Sequence, residues 1–186
     1  MFKINEIFYS IQGEGFWTGS PAIFVRFSGC NRKCDFCDTK HESHESMSIE
    51  EIVDKVEVFN VLVPVIFTGG EPLLQMNDEM TRLILSLKSR GFAVHIETNG
   101  TIMPTKLIQH ICWITVSPKE NAILFQGNEL KLVYQNQSLD EYEEMDFSNF
   151  YLQPKSMENV LETVEMCKRR PKWKLSLQTQ KLIDIA

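Results

Sequence analysis

Three cysteines sit close together in the run Cys30-Asn-Arg-Lys-Cys34-Asp-Phe-Cys37. On one short loop, three thiolates can grip three corners of a cubane 4Fe-4S cluster, which leaves the fourth iron without a cysteine. An open iron suits catalysis, because the amino and carboxylate groups of a ligand can chelate it; a purely structural cluster would usually carry four cysteines. Two other chemistries stay open for the same residues. His41 or His44, just downstream, could complete a Cys3His zinc site, and Cys34 and Cys37 have the spacing of a redox dithiol.

A second group of chemistry-bearing residues is Thr68-Gly69-Gly70-Glu71-Pro72. Two glycines let a backbone approach a ligand closely, and Glu71 could accept a hydrogen bond from a ligand's ammonium group. A turn with no ligand is the alternative for this segment. His95, in an apolar run, and His110, near a helix end, are expected to be structural. Cys112 and Cys167 are expected to be small buried apolar residues. With five cysteines in all, an odd number with three bunched together suits metal ligation in a reducing cytoplasm better than a secreted disulfide framework.

Strand-like and helix-like runs alternate after the cysteine loop, and the strand-like ones are nearly continuously apolar, as in a parallel sheet covered by helices. The predicted strands are PAIFVRFSG, VPVIFTGG, FAVHIETNG, ICWITVSPK, NELKLVY, NFYLQP and KWKLSLQT. Ser48 and Glu51 form a capping-box pattern before Ile49, Ile52, Val53 and Val56. Met76, Met80, Leu83, Ile84 and Leu87 mark a second helix face, and a third helix is predicted from Ser156, with Met157, Val160, Leu161 and Val164 inward and Pro171 as its stop. In α/β folds, functional residues gather at the carboxyl ends of the strands. Five loops, carrying Cys30, Thr68 to Pro72, Glu97 to Gly100, Ser117 to Lys119, and Gln153-Pro154, should therefore meet at one mouth.

The chain has 186 residues, 43% hydrophobic and 24% charged, with a net charge of -6. This size and the lack of any linker composition predict a single domain, 1-186. The negative charge argues against nucleic-acid backbone binding. No apolar run reaches the roughly 18 residues of a membrane helix, so no membrane role is expected.

CxxxCxxC followed by TGGEP after a strand resembles the radical S-adenosylmethionine (SAM) superfamily. The resemblance implies a partial, modified (β/α) barrel with a mostly parallel sheet, in which the cluster binds SAM and the GGEP loop holds its methionine portion. A further resemblance runs through EIFYSIQGEG, RFSGC, CDFCDT, TGGEP, IETNG, SPK, NELK, QP and LSLQT. These motifs are similar to those of the 7-carboxy-7-deazaguanine synthase family. That family contracts the ring of 6-carboxy-5,6,7,8-tetrahydropterin with loss of ammonia, a step toward queuosine and other 7-deazapurines. A small activase that installs a glycyl radical on a partner protein is the rival reading of CxxxCxxC, and IQGEG and LSLQT speak against it.

The family resemblance implies roles residue by residue. Cys30, Cys34 and Cys37 hold the 4Fe-4S cluster. Phe36, Cys37, Asp38, Gly70, Ser117, Pro118, Lys119, Gln153, Pro154, Lys155 and Ser156 touch SAM. Ile11, Gln12, Gly13, Glu14, Arg26, Thr68 and the carboxylate of Ala186 bind the pterin, and Thr39 ligates Mg2+ as a hard oxygen donor. Arg26 suits a substrate carboxylate, with a surface ion pair as its alternative. The chain departs from relatives at Lys155-Ser156, where they often carry a longer Met-Asp-Gly segment, and at its last residue, which is often proline. An external one-electron donor such as flavodoxin or ferredoxin and a homodimeric state are implied as well.

Overall fold

The computed structural model describes residues 1–37 and 42–185. Asp38, Thr39, His41 and Ala186 therefore lie outside the described residues. Nine strands form one sheet in the order β3-β1-β2-β4-β5-β6-β7-β8-β9. They are β1 (Phe2–Ile11), β2 (Pro21–Phe27), β3 (Glu45–Met47), β4 (Val65–Gly69), β5 (Val94–Thr98), β6 (Trp113–Val116), β7 (Gln126–Tyr134), β8 (Asp146–Pro154) and β9 (Lys174–Leu175). From β2 onward neighbouring strands pair in parallel. β1 is antiparallel to both its neighbours. The first and last strands in this order do not pair with each other, so the curved sheet is an unclosed α/β barrel.

Most helices cover one face of the sheet. α1 (Ile49–Glu57) starts at the capping box read from the sequence: Glu51 N donates to Ser48 Oγ at 3.1 Å and Ser48 N donates to Glu51 Oε2 at 2.7 Å. α2 (Asp78–Ser89) starts later than Met76; its cap is Asn77, which accepts from Met80 N. α3 (Lys106–Ile111), α4 (Asp140–Glu143), α5 (Val160–Arg169) and α6 (Thr179–Leu182) follow. Val53, Leu83, Ile84, Leu87 and Ile108 pack with Phe27, Phe67, Ile96, Val116, Leu130 and Leu152 in one buried layer. Each fully buried aliphatic side chain there contributes roughly 1.5–3 kcal/mol. Cys112 is buried and Cys167 packs partly buried against the same layer.

Alternation along the strands turns the other residues to the concave face. A small apolar cluster of Ala22, Phe24 and Ile66, with Phe8 against it, occupies one side of that face. Polar side chains take most of the rest.

Three sequence expectations need correction. β1 was not among the predicted strands: its register shifts between Ile4 and Glu6, which breaks the two-residue alternation that marks a strand. The expected last strand shrinks to Lys174–Leu175; beyond it Ser176 N still donates to Leu152 O at 2.8 Å while its hydroxyl accepts from Gly15 N at 2.9 Å. The third helix begins at Val160 rather than Ser156, since Ser156 and Met157 take left-handed backbone angles of φ 48° and 63° that an L-residue helix cannot include. That start turns Leu161 outward, 77% exposed, and places Thr163 in the core at 0%.

Candidate active site

The five loops do meet. A cavity of about 400 Å³ opens at the carboxyl ends of the strands, lined by Cys30, Thr68, Gly70, Glu97, Asn99, Ser117, Lys119, Gln153 and Pro154 among others. This volume is in the range of small-molecule sites, roughly 300–1,000 Å³. Cys34, Phe36, Cys37 and Ser156 line it too, as do Ile11, Gln12, Gly13, Glu14 and Arg26 from the other side. Pro118 and Lys155 do not line it, although the Lys155 ammonium stands 5.8 Å from the centre of the Phe36 ring.

The floor is built by residues near the starts of β5 and β6. His95, Trp17 and Trp113 form a triangle of rings, with His95 5.3 Å from Trp17, 6.0 Å from Trp113 and the two tryptophans 5.3 Å apart. Burial, with the charge of Lys88 added, holds the His95 imidazole down at about 4, so it is neutral near pH 7.

Above this floor, charged groups concentrate. Lys131, on β7, places its ammonium 2.6 Å from Glu14 Oε2 and 3.4 Å from Glu97 Oε1. Gln178 and Gln180 donate to the other Glu14 oxygen at 2.9 and 3.1 Å. Gln12 and Thr68 donate to the two oxygens of Glu97, each at 3.0 Å. Burial pushes the Glu14 carboxyl up, but the charge and hydrogen bond of Lys131, with both glutamines, outweigh it and hold the group at about 2. For Lys131, burial works against the charged form and the three surrounding glutamates more than reverse it, so the ammonium is held well above its ordinary range.

The loop carrying Gln12 to Gly15 can reach this position because two glycines admit close neighbours. At Gly15, with φ 68°, a Cβ would stand 1.9 Å from Glu129 Oε1. Thr179 N donates to Gly13 O at 3.0 Å, and this bond brings the end of the chain over the cavity, where Lys181 and Ile185 join the lining.

At the cysteine side, all three thiols face the cavity and none is in a disulfide. Among the described residues, no three His, Cys, Asp or Glu side chains are gathered as a ligand set for a single metal ion. Burial pushes the Cys30 thiol up, so loading a metal there must displace its proton. Lys119 donates to Ser117 O and Oγ at 2.9 and 2.8 Å, and lies 5.5 Å from the centre of the Phe36 ring.

Glu71 has a different place from the one expected. It is fully buried, and its carboxylate accepts from Leu73 N, Thr98 Oγ1 and Asn99 N at 2.9, 2.9 and 2.7 Å. It thus ties the β4 loop to the β5 loop and, being fully buried and outside the cavity lining, does not face a ligand's ammonium. Arg26 is held in the surface pair that was its alternative, 2.5 Å from Glu6 Oε1, with its guanidinium over Phe8; it still lines the cavity.

From the sequence, Glu97 entered only as part of the loop Glu97 to Gly100, Lys131 and Gln178 only within the motifs NELK and LSLQT, and Gln180 was not picked out. The signal was present in NELKLVY, where Glu129 and Lys131 alternate with the buried Leu130 and Leu132. Charges alternating with leucines in a central strand mark a polar face turned inward.

The fold and the cavity with three thiols at its rim define a radical SAM protein, and the family model described as Radical SAM superfamily matches residues 24–179. The chain is 50% identical to the 7-carboxy-7-deazaguanine synthase of Bacteroides thetaiotaomicron, over 100% of this chain and 99% of the relative. It is 37% identical to that of Burkholderia multivorans, over 99% of each. The crystal structure of QueE from Escherichia coli superposes with a TM-score of 0.80 at 29% identity, covering 96% of this chain and 94% of that one. The chain belongs to the 7-carboxy-7-deazaguanine synthase family of radical SAM enzymes.

Membership implies SAM and a 4Fe-4S cluster, and the residues present fit both. Three free thiols at one rim are the donor set of a cluster with an open iron. Gly70 leaves its loop flat against the cysteine loop, and the buried Gln153 Oε1 has no hydrogen-bond partner among the described residues, which leaves an acceptor at the cavity for a ligand.

Proposed function

We propose that the enzyme converts 6-carboxy-5,6,7,8-tetrahydropterin to 7-carboxy-7-deazaguanine with loss of ammonia, in queuosine and related 7-deazapurine biosynthesis. The observation that carries this reading is the pair Glu14 and Glu97, two carboxylates on one cavity wall, which suit the donor-rich amino and ring N–H edge of a pterin.

Cys30, Cys34 and Cys37 would hold the cluster, while Phe36, Asp38, Gly70, Ser117, Pro118, Lys119, Gln153, Pro154, Lys155 and Ser156 would surround SAM. When bound, these groups supply a carbon radical able to take hydrogen from a substrate carbon. The chain's own part is placement. Gln12 orients Glu97, Gln178 and Gln180 orient Glu14, and Thr68 holds the second Glu97 oxygen. Arg26 exchanges its exposed partner Glu6 for the substrate carboxylate, a trade favoured by the cavity's lower dielectric. Thr39 would hold Mg2+ as a hard oxygen donor. The tail from Ser176 onward, docked on the Gly13 loop, helps to exclude water.

The working enzyme is a cytoplasmic homodimer of single-domain chains that takes electrons from a flavodoxin or ferredoxin. Among the described residues no helix is long and apolar enough to cross a membrane. The test is anaerobic turnover by reduced, cluster-loaded protein with SAM and the carboxytetrahydropterin, with and without Mg2+. The deazaguanine product is expected, faster with Mg2+; a competent cluster that yields no deazaguanine overturns the assignment.

A further inference from the structure

Lys131 contributes nothing to the core packing, yet it is 6% exposed and stands at the middle of the cavity wall. An ammonium is costly to bury unless its charge is compensated. Here the compensation comes from two carboxylates on separate segments: Glu14 on the loop after β1 and Glu97 on β5, both within 3.4 Å of the same nitrogen. Without the cation between them, the two carboxylates repel each other with nothing to compensate.

We propose that Lys131 is a positioning residue that keeps Glu14 and Glu97 simultaneously ionised and aimed at the substrate, so that both accept from its donor edge. This rests on the pterin assignment above. Lys131 has no role among the groups expected to touch substrate, and it acts through its neighbours. The other charged or titratable groups that face it are Glu129 on its own strand, Lys119 after β6, Tyr151 on β8, and Lys181 in the terminal segment. Glu129 accepts from Phe16 N at 3.3 Å, and its charge also bears on Lys131 and Glu97 without a hydrogen bond to either. Lys181 is turned to Gln178 Oε1 at 2.9 Å. Among the described residues, Lys131 alone bridges the two carboxylates.

The proposal predicts a particular pH signature. With Lys131 replaced by methionine, Glu14 and Glu97 share a proton as the pH falls, and an acceptor facing the substrate becomes a donor. Binding then weakens toward low pH in the variant and much less in the wild type. Taking the variant-to-wild-type ratio removes the ligand's own titration.

The experiment is equilibrium binding of 6-carboxypterin, an oxidised pterin that cannot react, to anaerobic cluster-loaded enzyme between pH 6 and 8 (roughly the span in which a perturbed carboxyl titrates). Turnover is measured in parallel. Lys131→Met is expected to raise Kd about tenfold near pH 7, the scale of a charge-assisted hydrogen bond, with the ratio growing as pH falls and KM affected more than kcat. Lys131→Arg keeps the cation and should leave the ratio flat. The double variant Lys131→Met, Glu97→Gln has one carboxylate fewer; it should bind weakly with no pH slope, and it serves equally if the single variant is unstable. A flat ratio in Lys131→Met, or a slope retained in the double variant, overturns the role of Lys131 while the substrate assignment stands. Wild-type enzyme that neither binds 6-carboxypterin nor turns over the tetrahydro form overturns both.

Discussion

Gly70 lies against Gly29 so closely that a Cβ built on it would stand 1.9 Å from the Gly29 carbonyl oxygen. Two hydrogen bonds lock the contact, Gly70 N to Phe27 O and Glu71 N to Gly29 O, each at 2.9 Å. The loop after β4 thereby sets the position of the residue immediately before Cys30.

Gly70→Ala should displace the cysteine loop, since backbone atoms cannot yield as a flexible side chain can. The expected loss is about 1–3 kcal/mol of stability, the usual range for overpacking, with a larger fall in SAM affinity. Thermal unfolding of the metal-free chain and equilibrium SAM binding by the loaded enzyme check the two parts separately. Wild-type behaviour in both would mean that the contact is not needed.

Glu71→Gln tests the brace beneath the cavity. The carboxylate accepts from three donors spread over both oxygens, whereas an amide must turn an N–H toward at least one of them. A cost of about 1–3 kcal/mol follows from the unsatisfied donor, read by denaturant unfolding. SAM binding should weaken as a secondary effect of loosened loops, without loss of the cluster.

His95 predicts a pH dependence of stability. Its folded-state value is about 4 against an ordinary 6.5, so between these values the unfolded chain binds a proton that the folded chain refuses. Stability is therefore fully present above 6.5 and falls as the pH drops toward 4. His95→Phe keeps the tilted ring contacts with Trp17 and Trp113 and should flatten this part of the curve. Chemical denaturation of both proteins at pH 7 and pH 5 is the check, and parallel losses in the two would exclude His95 as the source.

Cys34→Ala tests the enzyme class without testing the substrate. Two thiolates hold a cubane poorly, so iron and acid-labile sulfide should fall severalfold and reductive SAM cleavage should disappear. Binding of 6-carboxypterin to the variant should survive, since the carboxylates that serve it lie on other loops. Zinc bound in place of iron by the anaerobically purified wild type would restore the structural-site reading of these cysteines.

Much of the fold was legible in local pattern. The parallel strands β2 and β4 to β8 announce themselves as apolar runs closed by Gly, Pro or polar residues, and α1 by Ser48 and Glu51, whereas the short β3 does not. What stayed hidden depended on partners distant in sequence. β1 carries a register shift that only its pairing with β2 explains, and Leu161 is apolar but faces outward because two left-handed residues reset the start of its helix. Glu71 has the chemistry of a ligand group, and only the pairing of β4 and β5, which buries it against Thr98 and Asn99, reveals that it braces two loops.

The sequence by itself determined the chemistry at the rim, because a three-cysteine loop and a Gly-Gly-Glu-Pro turn are local motifs whose meaning survives without a fold. The tertiary structure alone decided the wall opposite. Glu14, Glu97 and Lys131 come from segments far apart along the chain, and no local pattern states that one ammonium stands between two carboxylates. Their charges acquire meaning only when curvature of the sheet buries them together, since in water each would be screened and independent.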